Sequence, residues 1–170
     1  DLTIMEEGTE FLGRLKNHTE DNWPMFTSCC PGWVRFIKSQ YPELVDHLST
    51  AKSPQQMFGA VLREHFKNPE NSGGKKIVSI SIMPCTAKKE EIQRKESITN
   101  GKQDVDYVIT TTELVTMIKR SGIHFDELDL ESCDMPFGIG SGAGVIFGVT
   151  GGVTEAVLRR LANGNSRADM

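Results

Sequence analysis

A chain of 170 residues is long enough for one globular domain or a large part of one. Apolar residues at 38% and charged residues at 25% support a buried core and exclude a disordered chain. A net charge of −4 and a pI near 5.6 carry no footprint for nucleic acid, and no apolar run approaches the roughly 20 residues that span a membrane. The four cysteines, Cys29, Cys30, Cys85 and Cys133, are too sparse for a disulfide scaffold. Metal ligands or reactive thiols are their expected uses. The chain opens on Asp1 rather than Met and closes on a polar stretch from Asn163 to Arg167. It is therefore expected to be an internal stretch of a longer protein. A cytoplasmic location is a separate expectation.

In chain order, Thr3 to about Asn17 is predicted as an amphipathic helix. Thr3 and Glu6 form a capping box, and Leu2, Met5, Leu12 and Leu15 give an apolar stripe. A loop with Asp21, Asn22 and Pro24 leads to a short strand at Met25 and Phe26. Pro31 suits the first turn of a helix with Trp33, Phe36 and Ile37 on one face. Ser53-Pro54-Gln55-Gln56 starts a helix that should reach about Phe66. Asn68 to Gly74 reads as a loop, Ile77 to Met83 as the best strand, and Asp106 to Thr110 as another. Thr110 and Glu113 open a helix ending at Gly122. The glycines from Gly138 to Gly144 mark a loop, Val145 to Val149 a strand, and Val153 to Leu161 a last helix. Strands separated by helices predict an α/β fold with mainly parallel strands and flanking helices.

Two segments concentrate the chemistry. In Thr27-Ser28-Cys29-Cys30-Pro31-Gly32-Trp33 the cysteine pair precedes a helix N-terminus, where unpaired N–H groups and the dipole favour a thiolate. One cysteine can then hold a metal while its neighbour faces another space; a buried cysteine beside a free one fits the same spacing. In Met83-Pro84-Cys85-Thr86-Ala87-Lys88-Lys89-Glu90-Glu91, Cys85 follows the end of a strand, where α/β folds place sites. Lys88 can neutralise an anionic ligand, although a core cysteine followed by a solvated charge run is also consistent. Glu7, Glu10 and Arg14 share one face of the first helix; Glu10 and Arg14 also suit an exposed i, i+4 ion pair.

Together these segments resemble the first two signature motifs of the iron-only (FeFe) hydrogenases, T-S-C-C-P-x-W and M-P-C-x-x-K-x-x-E. Phe147-Gly148-Val149-Thr150-Gly151-Gly152-Val153-Thr154-Glu155-Ala156 is similar to that family's F-G-x-T-G-G-V-x-E-A, and the motifs fall in the family's order. The resemblance implies a partial catalytic domain of a two-lobed α/β fold that interconverts protons and electrons with hydrogen. It also implies the H-cluster, a 4Fe–4S cube joined to a two-iron unit bearing CO, cyanide and a bridging dithiolate. By position, Cys30 and Cys85 match two cube ligands, and Cys29 matches the thiol that passes protons to the two-iron unit. Pro84 and Lys88 match groups near a cyanide; Met83, Gln55, Phe147 and Ser53 match residues around the two-iron unit. Glu7, Glu10, Arg14 and Ser49 match a proton relay from the surface to Cys29. Implied partners are ferredoxin or another low-potential electron carrier and the hydrogenase maturation proteins.

The family's third motif, C-x-x-x-C, is absent from the 170 residues, and Cys133 matches none. The chain is accordingly expected to lack both ends of the domain and to be inactive alone. Two related readings are a non-catalytic relative of the iron–sulfur assembly or prelamin-recognition type, which generally lacks a thiol at the position of Cys29, and a hydrogen-sensing relative. A nucleotide site at the loose G-x-G-x-x-A of Gly138 to Ala143 lacks a preceding strand. His18, His47, His65 and His124 show no metal-ligand spacing.

Overall fold

The structure, a computed structural model, describes residues 1–17, 22–134 and 137–163. Helix α1 spans Leu2–Lys16, α2 Pro31–Gln40, α3 Pro54–His65 and the single turn α4 Pro69–Ser72. Strand β1, Ile80–Met83, precedes the short helix α5, Ala87–Glu91. Strands β2, Ile98–Thr99, and β3, Lys102–Gln103, form a small hairpin. Strand β4, Tyr107–Thr110, runs directly into α6, Thr111–Arg120, and α7 spans Gly152–Asn163. The expectations at His18, Asp21 and the polar stretch beyond residue 163 lie outside the described residues.

Capping chemistry explains most helix starts. Cys30 caps α2 with Pro31 in the first turn. The Ser53 hydroxyl accepts from the Gln56 N–H at 3.3 Å at the head of α3. Thr110 and Glu113 form the full reciprocal capping box of α6, and Gly122, at φ +67°, follows its end. The expected capping box of α1 does not form. Thr3 lies inside the helix and is buried, Asp1 is the N-cap without a side-chain cap bond, and the Asp1 carboxylate accepts from the N–H and hydroxyl of Ser141 instead.

The chain divides into two compact units, Asp1–Met57 with Gly140–Met170, and Phe58–Ile139. In the first, α1 packs on α7 around Ile4, Ala156 and Val157, with Ile146, Phe147 and Leu161 against them. The buried face of α1 is Thr3, Ile4, Glu7 and Gly8, and the expected stripe of Leu2, Met5, Leu12 and Leu15 is exposed. A second cluster joins Val34, Ile37 and Leu48, with Phe26 against it. The strand expected at Met25 and Phe26 reduces to one parallel bridge, Phe26 to Leu48. On α2 only Ile37 of the expected face is buried, whereas Trp33 and Phe36 are exposed.

Val145 to Val149 is not a strand. Gly142–Gly148 forms a 3-10 segment headed by the Ser141 hydroxyl, which accepts from Ala143. Its three glycines outweigh the strand preference of the β-branched residues, and the turn carries Ile146 and Phe147 into the α1–α7 core.

In the second unit β1 pairs with β4 in parallel, in register from Ile80 with Tyr107 to Met83 with Thr110. Ile92, Val105 and Val108 form the core, with Met83 packed against it. β1 begins at Ile80 rather than Ile77, because Ser79 is occupied by Asp106: its N–H and hydroxyl both donate to that carboxylate, at 2.8 and 3.0 Å. The single turn α4 lies within the expected loop at Asn68 to Gly74.

Gly59 marks the tightest approach of α3 to the second core. A Cβ there would lie 2.6 Å from Val105 Cγ2 and 2.7 Å from the Asp104 carbonyl oxygen. Backbone cannot swing aside as a flexible side chain can. Gly59→Ala is expected to destabilise the protein by about 2 kcal/mol, read as a lowered denaturation midpoint; an unchanged midpoint would refute the close packing.

Candidate active site

The acidic face of α1 is a buried network. Glu10 accepts from the Ser49 hydroxyl at 2.7 Å, from the Thr50 N–H at 2.9 and 3.1 Å, and from two guanidinium nitrogens of Arg14 at 2.6 and 3.0 Å. Arg14 is itself fixed by the carbonyls of Asp46 and Leu48, at 2.9 and 2.8 Å. With side-chain exposures of 13% and 17%, Arg14 and Glu10 are not the exposed ion pair that their spacing also allowed. Burial pushes the Glu10 carboxyl up, but the bonds from Ser49, Thr50 and Arg14 outweigh it and hold the pKa below the usual value.

Glu7, one turn earlier, has the opposite character. It is 2% exposed. Desolvation, with a smaller contribution from the charge of Glu10, raises its pKa from 4.5 to about 7, against the lowering effect of hydrogen bonds from the Ser28 backbone and the Ser49 side chain. Its Oε1 is buried without a hydrogen-bond partner among the described residues. The Ser49 hydroxyl donates its proton to Glu10 and also neighbours Glu7, and Glu7 meets the Ser28 backbone, one residue before Cys29. Two neighbouring acids with pKa values driven apart are the kind of pair that acid–base chemistry uses.

Cys29 is half-buried and Cys30 is exposed. Cys30 Sγ accepts from the Trp33 N–H at 3.5 Å at the head of α2. In the same unit, Gln55 and Ser53 are buried and Phe147 packs into the α1–α7 core.

In the second unit Met83 is the last residue of β1 and is packed against its core, while Pro84 and Cys85 are exposed. The Lys88 N–H bonds back to the Cys85 carbonyl at 3.3 Å. Lys88 Nζ donates to both oxygens of Glu91 at 3.1 Å, with side-chain exposures of 13% and 7%. Sequence reasoning assigned Glu91 no role, although its place three residues after Lys88 was the available signal. Glu91→Ala would remove the buried carboxylate that pairs with Lys88; it is expected to cost about 3 kcal/mol, read by chemical denaturation. Glu91→Asp, which keeps the charge, should cost less, and equal losses would count against the pairing.

Among the described residues no group of three or more Cys, His, Asp or Glu gathers as a metal site, and Cys133 is exposed. The donor set nonetheless suits an iron–sulfur cube in kind. Cys30, at a helix head in the first unit, and Cys85, after a strand in the second, are each exposed, and thiolates are the ligands that such a cube takes. No helix among the described residues is long and apolar enough to cross a membrane.

Residues 1–170 match the family described as iron only hydrogenase large subunit, C-terminal domain. The NADP-reducing hydrogenase subunit HndD of Solidesulfovibrio fructosivorans is 53% identical over 94% of this chain and 28% of its own length. A variant of the apo [FeFe]-hydrogenase HydA1 from Chlamydomonas reinhardtii superposes with a TM-score of 0.76 at 47% identity, covering 93% of this chain and 40% of that one. A cytosolic Fe-S cluster assembly factor, narfl of Xenopus tropicalis, is 31% identical over 95% of this chain and 36% of its own. The chain thus spans between 28% and 40% of the length of these three relatives. On the match of its whole length and the identity to a hydrogenase of this kind, the chain belongs to the family formed by the C-terminal domains of iron-only hydrogenase large subunits.

Proposed function

We propose that residues 1–170 form part of the catalytic domain of an iron-only hydrogenase that interconverts protons and electrons with hydrogen. The observation that carries this reading is Glu7, a buried carboxyl with a pKa near 7 that shares Ser49 with Glu10 and meets the backbone beside Cys29. A structural salt-bridge network has no use for a carboxyl poised to give and take a proton at neutral pH; a proton route has.

In this reading Arg14 and Ser49 hold Glu10 ionised toward solvent, Glu7 takes and releases the proton, and Cys29 is the last carrier. Cys30 and Cys85 would each give a thiolate to the cube of the H-cluster, which when bound supplies the two-electron redox chemistry. Lys88, held by Glu91, and Pro84 would face an anionic ligand of that group. Met83, Gln55, Ser53 and Phe147 would shape its dry surroundings. Ferredoxin or a similar low-potential carrier would exchange electrons, and maturation proteins would load the two-iron unit.

The non-catalytic alternative is weighed by Cys29, the position at which such relatives generally carry no thiol, and by the higher identity to the NADP-reducing hydrogenase than to the assembly factor, 53% against 31%. Hydrogen evolution by the matured intact protein carrying this chain tests the reading directly. Iron loading without any turnover in either direction would favour the assembly or sensing relatives.

A further inference from the structure

The second unit contains a cavity of about 790 Å³ that the proposed chemistry does not use, within the 300–1,000 Å³ typical of small-molecule sites. Its lining comes from α3, the segment before β1 and the β2–β3 hairpin. Five of the lining side chains are cationic and two are carboxylates. Both carboxylates are already matched. Arg63 pairs with Asp106 at 3.3 Å, and Lys67 pairs with Glu64 at 3.3 Å. Lys75, Lys76 and Lys102 remain, with no ion-pair partner among the described residues. Three cationic residues without an ion-pair partner thus line one concavity of a chain whose net charge is −4, which is local focusing rather than a general basic surface. The cavity wall also offers the apolar side chains of Leu62, Phe66 and Ile77.

We propose that this cavity binds a nucleoside di- or triphosphate. The phosphates lie against Lys75, Lys76 and Lys102, and the ring system lies against Leu62, Phe66 and Ile77. The charge of a diphosphate answers the three surplus cations, whereas a single carboxylate would leave two of them unmatched. Apolar wall and charged rim together favour an organic polyphosphate over a bare inorganic ion.

The test is calorimetric titration of the intact protein with ADP, pyrophosphate and adenosine at fixed ionic strength. ADP should bind at least 10-fold more tightly than pyrophosphate, with adenosine below detection. The triple variant Lys75→Ala, Lys76→Ala, Lys102→Ala should weaken ADP at least 30-fold while keeping the wild-type melting temperature. If that variant melts early, Lys76→Gln and Lys102→Gln made singly should each still weaken ADP several-fold. Undetectable ADP binding, equal binding by wild type and variants, or equal affinity for ADP and pyrophosphate would overturn the proposal. Equal competition by a short poly-glutamate peptide would also overturn it, reassigning the groove to an acidic protein surface.

Discussion

Cys29→Ala in the matured intact protein is expected to lower hydrogen turnover by about a hundred- to ten-thousandfold, the range that a positioned proton carrier contributes, while the iron content stays that of wild type. The neighbouring change, Cys30→Ala, should instead lose iron. The two thiols are adjacent in sequence but differ in setting: Cys30 is exposed, caps α2 and accepts from the Trp33 N–H, whereas Cys29 is half-buried and follows the Ser28 backbone that Glu7 meets. Iron analysis and turnover on the two variants therefore separate ligand from carrier. If Cys29→Ala also loses its iron, the assignment of roles within the pair is wrong. If it keeps both iron and turnover, protons reach the site by another route.

Local chemistry made much of this arrangement legible. The heads of α2, α3 and α6 could be read because a proline in the first turn or a Ser or Thr cap acts within three residues. The partners of Glu10 could not be derived that way. Ser49 and Thr50 are 39 and 40 residues distant, and only the fold brings them to α1. For Ser49 the family resemblance supplied what periodicity could not.

Periodicity also misplaced the buried face of α1, because a pattern that seeks leucines does not expect a buried glutamate. At 145–149 the β-branched residues suggested a strand, while the glycines and the Ser141 cap specify a turn. The β2–β3 hairpin escaped notice because each strand has two residues. Its turn is built on Asn100 and Gly101, both at positive φ, and that Asn-Gly pair was the readable signal.

Glu7→Gln is expected to have two effects that a merely structural glutamate would not produce together. Turnover should fall by about a hundredfold or more, and the inflection that Glu7 gives the pH profile near 7 should disappear. Stability should move in the opposite sense. The folded-state pKa of Glu7 is raised from 4.5 to about 7, so the folded protein holds that proton more tightly than the unfolded chain does. The resulting stabilisation is fully present below about pH 4.5, declines as the pH rises, and is lost above about pH 7. Glutamine fills nearly the same space and does not titrate. The stability of the variant relative to wild type should therefore rise across that window, by on the order of 3 kcal/mol, with little further change above pH 7. Denaturation midpoints at pH 5 and pH 8 read the difference. A relative stability that is the same at both pH values would place the Glu7 pKa at its ordinary value and remove the proton store from the route. A pH-dependent gain without loss of turnover would leave Glu7 buried and perturbed but outside the proton path, because the same desolvation that makes the group costly to ionise makes it useful only if a proton must pass through it.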